Sequence, residues 1–376
     1  MEAYLDNSAT TPPCPEAIAA MREALTTVWG NPSSLHWAGL NAERLLAQSR
    51  ESLAELFGCE PAEVTFTSGG TESNNLAIFG AANALRRRGR RVVTSAVEHS
   101  SIAESVKELA SRGFEVVYLS VDRGGRVSEQ ELMQAINAET ILVSLMAVNN
   151  EVGSLQPVEV IRRVVQYHRA PALIHCDAVQ AFGKLPMQPA RLGVDLMTVS
   201  SHKIHGPKGA GALYVRRGVK LNPLVYGGSQ ENRLRPGTEG MPAIAGFSAA
   251  VRALPNPMAI MDYVSSLRDR LVAGAASMEG VKLNSPPDAL PYLTNLSVPG
   301  LQSETMLNFL SERGICVSSG SACAKGKKSR VLRAMGLGDA DIAGALRISL
   351  SRFTTWEEID AFLYALNEAR LTLARK

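Results

Sequence analysis

The sequence predicts an α/β protein: a mostly parallel, seven-stranded sheet between helices, followed by a smaller α+β domain. Three observations predict it. Short apolar runs alternate with helical patterns over the first two thirds of the chain. Polar residues able to bind a ligand stand at the ends of those runs. A turn-rich stretch, Leu254-Pro255-Asn256-Pro257, then ends the alternation. Such alternation favours parallel pairing, because a helix fills the crossover between parallel strands.

The strand candidates are Val64–Thr67, Arg91–Ser95, Glu115–Leu119, 141–146, 172–176, Leu196–Ser200 and Gly211–Val215. Helical patterns lie between most of them, at 72–88, 100–112, 128–137 and 158–168. Beyond the turn come a long helical segment at 258–276, a strand at 293–298 and a helix at 303–313. A strand at 346–350 and a last helix from 355 to about 373 follow. The expected division is an N-terminal arm (1–15), a large domain (16–254) and a small C-terminal domain (255–376). Ligands of open α/β sheets bind beyond the carboxyl ends of the strands. Thr71, His99, Asn150, Asp177 and Ser200 all fall there.

Composition narrows the class. The chain has 376 residues, 45% of them hydrophobic and 20% charged, with a net charge of +3. That charge is too small to argue for direct nucleic-acid or membrane binding. No apolar stretch approaches the roughly 20 residues of a membrane span. The first residues, Met1-Glu2-Ala3-Tyr4-Leu5-Asp6, lack the basic and apolar regions of a secretory leader. The five cysteines are odd in number and show no C-x-x-C spacing, so a reducing cytoplasm is expected.

The most specific segment is Ser200-Ser201-His202-Lys203-Ile204-His205-Gly206-Pro207-Lys208-Gly209. Here Lys203 is framed by hydroxyl, imidazole and glycine. A solvated lysine needs no such frame, whereas a Schiff-base lysine must sit where a cofactor phosphate is also gripped. Lys184 lacks that frame, and Lys208 lies in a glycine-proline turn. Upstream, Asp177 ends an apolar run. A lysine and an acid at neighbouring strand ends suit pyridoxal phosphate (PLP): the lysine takes the aldehyde carbon and the acid keeps the ring nitrogen protonated. Ser68-Gly69-Gly70-Thr71 follows a strand and opens a helix, so Gly70 and Thr71 are candidate phosphate contacts; a plain helix cap at Thr71 is the alternative. Asp177 could likewise be only a cap. His175 and Cys176 point to opposite faces of a strand and make a poor metal site. Arg347 lies in an apolar strand, where its charge must be paired. A substrate carboxylate or a structural salt bridge would serve, and Asn150 is the natural partner for the same carboxylate.

Several segments together resemble the cysteine desulfurases, PLP enzymes of the class V aminotransferase group, and most closely the branch related to iron–sulfur cluster desulfurases. They are Tyr4-Leu-Asp-Asn-Ser-Ala-Thr-Thr-Pro12, Ser68-Gly-Gly-Thr-Glu-Ser-Asn-Asn75, Glu98-His99, Val148-Asn-Asn-Glu-Val-Gly153, His175 to Gln180, the Lys203 segment, Arg235-Pro-Gly-Thr238, Ser318-Ser-Gly-Ser-Ala-Cys323 and Leu346-Arg-Ile-Ser-Leu350.

The resemblance implies the fold-type-I PLP transferase architecture and removal of sulfur from L-cysteine. It implies a PLP-linked Lys203, a His99 ring stacked on the cofactor, and Gln180 as donor to the cofactor's ring oxygen. Ser200 and His202 would join the phosphate site. Cys323 would carry the persulfide, helped toward thiolate by Lys325, Lys327 and Lys328. Cys14, Cys59, Cys176 and Cys316 read as structural. Arg235-Pro-Gly-Thr238 implies a homodimer in which Thr238 reaches the other subunit's phosphate. An acceptor protein, either an iron–sulfur scaffold or a tRNA-thiolation enzyme, would take the sulfur. The basic stretch Ala324-Lys-Gly-Lys-Lys-Ser-Arg330 departs from the family pattern where an acceptor would dock. Selenocysteine lyase and small-substrate aminotransferase are the alternatives on the same fold. An idle PLP-fold binding module is a third.

Overall fold

A computed structural model describes residues 2–320 and 329–374 of the chain. In order, the elements begin with β1 (Ala3–Tyr4), α1 (Pro15–Thr26), α2 (Trp37–Phe57), β2 (Val64–Thr67), α3 (Gly70–Leu85), β3 (Arg91–Ser95) and α4 (Ser100–Ser111). Then come β4 (Glu115–Leu119), α5 (Glu129–Ala135), β5 (Thr140–Met146), α6 (Val158–Tyr167), β6 (Leu173–Asp177), α7 (Pro189–Leu192), β7 (Leu196–Ser200), β8 (Gly211–Val215) and α8 (Met241–Arg252). The C-terminal part contains α9 (Pro257–Ala276), β9 (Lys282–Leu283), β10 (Leu293–Ser297), α10 (Ser303–Ser311), β11 (Ile315–Cys316), α11 (Arg330–Ala334), α12 (Asp339–Ala343), β12 (Ala345–Ser349) and α13 (Trp356–Thr372).

The central sheet has seven strands in the order β2-β8-β7-β6-β5-β3-β4. Its middle strands are continuous apolar runs because helices cover both faces; every residue of β5 is buried. β8 alone runs antiparallel to its neighbours, β7 and β2. Only residues 201–210 separate it from β7, too few for the helical crossover that parallel strands need. All seven strands fall where the sequence places them, with β5 and β6 shifted by one residue. The alternation read from sequence does not extend to α1 and α2. Their buried residues are largely small, such as Ala17, Ala24, Ala42 and Ala54, so their apolar stripe is faint.

The C-terminal part carries a three-stranded antiparallel sheet, β12-β10-β9. β1 pairs in parallel with β11, placing Ala3 opposite Ile315 and Tyr4 opposite Cys316. An isolated bridge then joins Asp6 to Ser349. The N-terminal segment is thereby sewn onto the last strand, and its next residues, 8–11, run past Lys203 and His202. α13 starts with a capping box: Thr355 and Glu358 each satisfy the other's backbone N–H. Among the described residues, no helix is long and apolar enough to cross a membrane.

Candidate active site

The site forms at the carboxyl ends of β2, β3, β6 and β7. α3 opens directly after β2, with Gly69 at its cap in a conformation (φ 153°) that a side chain would rarely adopt. No side chain caps it, so Thr71 does not serve as the N-cap; it is exposed at the first turn. A Cβ on Gly70 would lie 2.9 Å from Val179 Cγ2 and 3.6 Å from Ser200 Cβ. The helix start is thus pressed against the ends of β6 and β7.

Asp177 is the last residue of β6 and is 5% exposed. Asn74 Nδ2 donates to its Oδ2 at 2.8 Å, and the Val179 N–H donates to Oδ1 at 2.9 Å. The capping alternative for Asp177 is therefore partly realised, but one oxygen is held by a side chain from α3. Asn74 Nδ2 also donates to Ser101 Oγ at 2.8 Å. His99 caps α4, its Nδ1 accepting from the Ser101 N–H at 3.2 Å. That acceptor role puts the ring proton of neutral His99 on Nε2. Burial, with Lys203 and Arg330 adding to it, pushes His99 below the usual imidazole range, against the pull of Asp177. Preceding it, Glu98 accepts from Ser95 Oγ at 2.6 Å and the Met146 N–H at 3.0 Å. Burial raises this carboxyl to about 8.

Lys203 follows Ser200 in a short 3-10 turn. Its Nζ donates to Ala9 O at 2.8 Å and also to Ser8 O. Gln180 Nε2 donates to Ser8 O as well, at 3.1 Å. His202 Nδ1 lies 3.2 Å from Thr10 Oγ1; burial, with Lys203 next, lowers its imidazole to about 4. Lys208 is exposed, in keeping with its place in the turn. Lys184 is 8% exposed, which its unframed sequence context does not reveal.

Arg347 is 2% exposed in β12 and is ion-paired with Asp6 at 2.8 Å. Its Nη1 donates to Gly320 O at 2.8 Å and to the backbone oxygen of Asn150 at 3.0 Å, while its Nε is buried without a partner. The salt-bridge alternative is thus present, and Asn150 is adjacent through its main chain. Thr238 is exposed, in a loop tied to α3 by an Arg235–Glu72 ion pair of 2.9 Å. Cys323 lies outside the described residues. The flanks of its segment are anchored: Ser329 Oγ donates to Glu151 at 2.5 Å, and Arg330 Nη2 to Glu98 O at 2.6 Å.

Sequence reasoning missed the second layer: Asn74, Ser101, Asp6 and Ser8. All lie in or beside the matched segments, but their partners come from distant parts of the chain. Cys316 also differs from expectation. It lies in a strand, yet its side chain is exposed. Among the described residues, no group of three or more His, Cys, Asp or Glu is placed to hold a metal.

The residues fit PLP. Ser200 Oγ and Ser201 Oγ are buried and lack a hydrogen-bond partner, as is Asn74 Oδ1. The Ser200 hydroxyl adjoins the uncapped start of α3, where backbone N–H groups and the helix dipole favour an anion. A buried carboxylate and a lysine complete the set.

The class V aminotransferase family model matches residues 3–362, and the chain belongs to that family. Within it, similarity runs to desulfurases. A cysteine desulfurase IscS of Methanosarcina thermophila is 40% identical over 97% of this chain and 91% of its own length. A solved NifS-like protein superimposes with a TM-score of 0.94 at 38% identity, over 99% of this chain and 100% of that one. A structure described as SspA in complex with cysteine matches with a TM-score of 0.83 at 34% identity, covering 94% and 100%.

Proposed function

We propose that the chain is a PLP-dependent L-cysteine desulfurase, releasing L-alanine and passing the sulfur on through a persulfide on Cys323. The observation that carries this reading is the convergence of Lys203, buried Asp177 and the unpartnered Ser200 hydroxyl at one end of the sheet, beside the start of α3. The family supplies the cofactor class, and the named relatives supply the reaction.

When bound, PLP supplies an electron sink for the electrons of the substrate Cα–H bond. Lys203 would hold the cofactor, and its Nζ would take the proton from the substrate Cα. Asp177, fixed by Asn74 and the Val179 N–H, keeps the ring nitrogen charged. The Gln180 amide would donate to the ring oxygen. Gly70, Thr71, Ser200 and His202 would hold the phosphate, and Thr238 would complete the site of a second subunit in a homodimer. His99 would help hold the cofactor ring, with its proton on Nε2 available to substrate or product. Arg347 and Asn150 bind the substrate carboxylate, which exchanges with part of the arginine's present contacts. The Cys323 thiolate then attacks the substrate sulfur. An S–S bond forms as the C–S bond breaks, and that bond's electron pair stays with the carbon that becomes the alanine methyl. An iron–sulfur scaffold or a tRNA-thiolation enzyme is the acceptor. Unpaired thiols at Cys14, Cys59, Cys176 and Cys316 suit a reducing, cytoplasmic setting. The antiparallel β12-β10-β9 sheet supports treating 255–376 as a small domain beside 16–254, with 1–15 as an arm.

Incubation with L-cysteine is expected to yield alanine and sulfide in equal amounts under reducing conditions. Borohydride reduction and peptide mapping are expected to place PLP on Lys203. Label on Lys184 or Lys208, or no alanine, would overturn the reading.

A further inference from the structure

Lys184 is a buried lysine that the mechanism above does not use. It follows Gly183 in the turn after β6, and it shares a cavity with Lys203 and Tyr292. Its Nζ lies 5.5 Å from the centre of the Tyr292 ring. Burying an amine is costly without a partner. The partner here is the Gln180 carboxamide: Lys184 Nζ donates to Gln180 Oε1 at 3.3 Å.

That contact has an unambiguous polarity. An ammonium facing a carboxamide at this position can only be matched by the amide oxygen, and a backbone carbonyl only by the amide nitrogen. Gln180 meets one of each: Lys184 on Oε1, and Ser8 O at 3.1 Å on Nε2. The two partners allow one amide orientation and forbid the flipped one, which would set donor against donor and acceptor against acceptor. Ser8 O alone would be a weaker lock, because Lys203 also donates to it.

We infer that Lys184 is a positioning residue for the reaction: it fixes the Gln180 amide so that Nε2 is presented toward Ser8 and the cofactor's ring oxygen. The inference rests on the reading of Gln180 as donor to that oxygen. Lys184 can donate this hydrogen bond whether charged or neutral. That matters because burial, with Lys203 and Arg347 adding to it, lowers its amine to about 7. His205 faces the same cavity and is itself held neutral, with burial lowering it to about 4.

The test uses Lys184→Met, Gln180→Leu and the double variant, each purified without cofactor and then reconstituted with PLP. Methionine keeps the volume and apolar stem, so the cofactor-free melting temperature of Lys184→Met is expected to stay the same or rise, since a buried amine is removed. The informative readout is the pH at which the visible absorbance of bound PLP changes. A donor to the ring oxygen favours the more negative form, so its loss raises that midpoint. Lys184→Met is expected to raise it by about one unit, a tenfold change in the protonation equilibrium. Gln180→Leu is expected to raise it at least as far, and the double variant no further than Gln180→Leu. A midpoint unmoved by Lys184→Met but moved by Gln180→Leu would overturn the inference alone. So would shifts that add in the double variant, because Lys184 would then act by its charge and not through Gln180. A midpoint unmoved in every variant would overturn the reading of Gln180 together with it.

Discussion

Burial removes most thiols from contention. Burial raises Cys59 to about 12 and pushes Cys14 and Cys176 up as well. Cys316 is different: it is exposed on β11, beside the described flank of the Cys323 segment. Among the described thiols, Cys316 is therefore the one open to compete with Cys323 as sulfur carrier. Cys323→Ala is expected to keep bound PLP and its colour but to lose persulfide and sulfide formation. Cys316→Ala is expected to keep all four. Mass spectrometry of the protein after brief exposure to L-cysteine reads this directly, and a persulfide on Cys316 would reassign the carrier. At this scale the sequence was legible where chemistry needs a residue type in a fixed frame: Lys203 and Asp177 stand just after or at the ends of neighbouring strands, as expected. It was not legible for Cys316, whose exposure depends on which neighbours cover a short strand. Nor was it for Asp6, which is separated from Arg347 by most of the chain.

At the scale of the element, α3 does two tasks. Its first residues face the buried Ser200 hydroxyl, and Asn74, one turn in, holds Asp177. Helical geometry couples the two, because residues three to four apart share a face. Gly70→Ala tests the first task. The added Cβ would meet Val179 Cγ2 at 2.9 Å, so the helix start or the turn after β6 must shift. Overpacking of this kind costs about 1–3 kcal/mol. If the strain falls on the cofactor complex, PLP binds roughly 5- to 150-fold more weakly. Titrating the cofactor-free protein with PLP and following absorbance would check it; unchanged affinity would remove Gly70 from the phosphate site. Strands were readable because a buried parallel strand is a continuous apolar run, as in β5. α2 was not, because its contact face relies on alanine and glycine, whose spacing carries little periodic signal.

For the whole molecule, the first expectation concerns assembly. Thr238 is exposed in the single chain. If it completes a second subunit's site, mixing a Lys203→Ala chain with a Thr238→Ala chain places both lesions in one site of the heterodimer and leaves the other whole. Activity should then exceed that of either parent. No recovery, with heterodimers verified by differential tags, would count against shared sites. The second expectation concerns acid. His175 is fully buried between Ser144 Oγ at 2.9 Å and Thr198 Oγ1 at 3.0 Å, and burial lowers it to about 3. The unfolded imidazole takes up a proton near its ordinary value, while the folded one resists. Its stabilising contribution is therefore complete above about pH 6.5 and is lost as pH falls toward the folded value. Glu98, raised by burial to about 8, acts in the opposite direction: its contribution is lost as pH rises through that value. Comparison with a variant isolates the histidine. Between pH 6.5 and 5, His175→Asn should lose about 2 kcal/mol less stability than the parent, measured by urea denaturation of the cofactor-free protein. Equal losses would mean that His175 is protonated in the folded state.

The stitching of residues 3–11 onto both β11–β12 and the Lys203 turn has a temporal consequence. Asp6 meets Arg347, Asn7 meets Ser349, and Ser8 meets Lys203. A chain emerging from the ribosome makes its first residues long before these late partners exist. Up to that moment the seven strands of the sheet can pair, but Arg347 and its acidic counterpart have not met. Interrupted translation products that end short of β12 would thus carry Lys203 without Arg347, the buried cation that pairs with Asp6. Residues 3–11 and β12 must both be present before this part of the fold is finished, so the last strand made is the one that closes it.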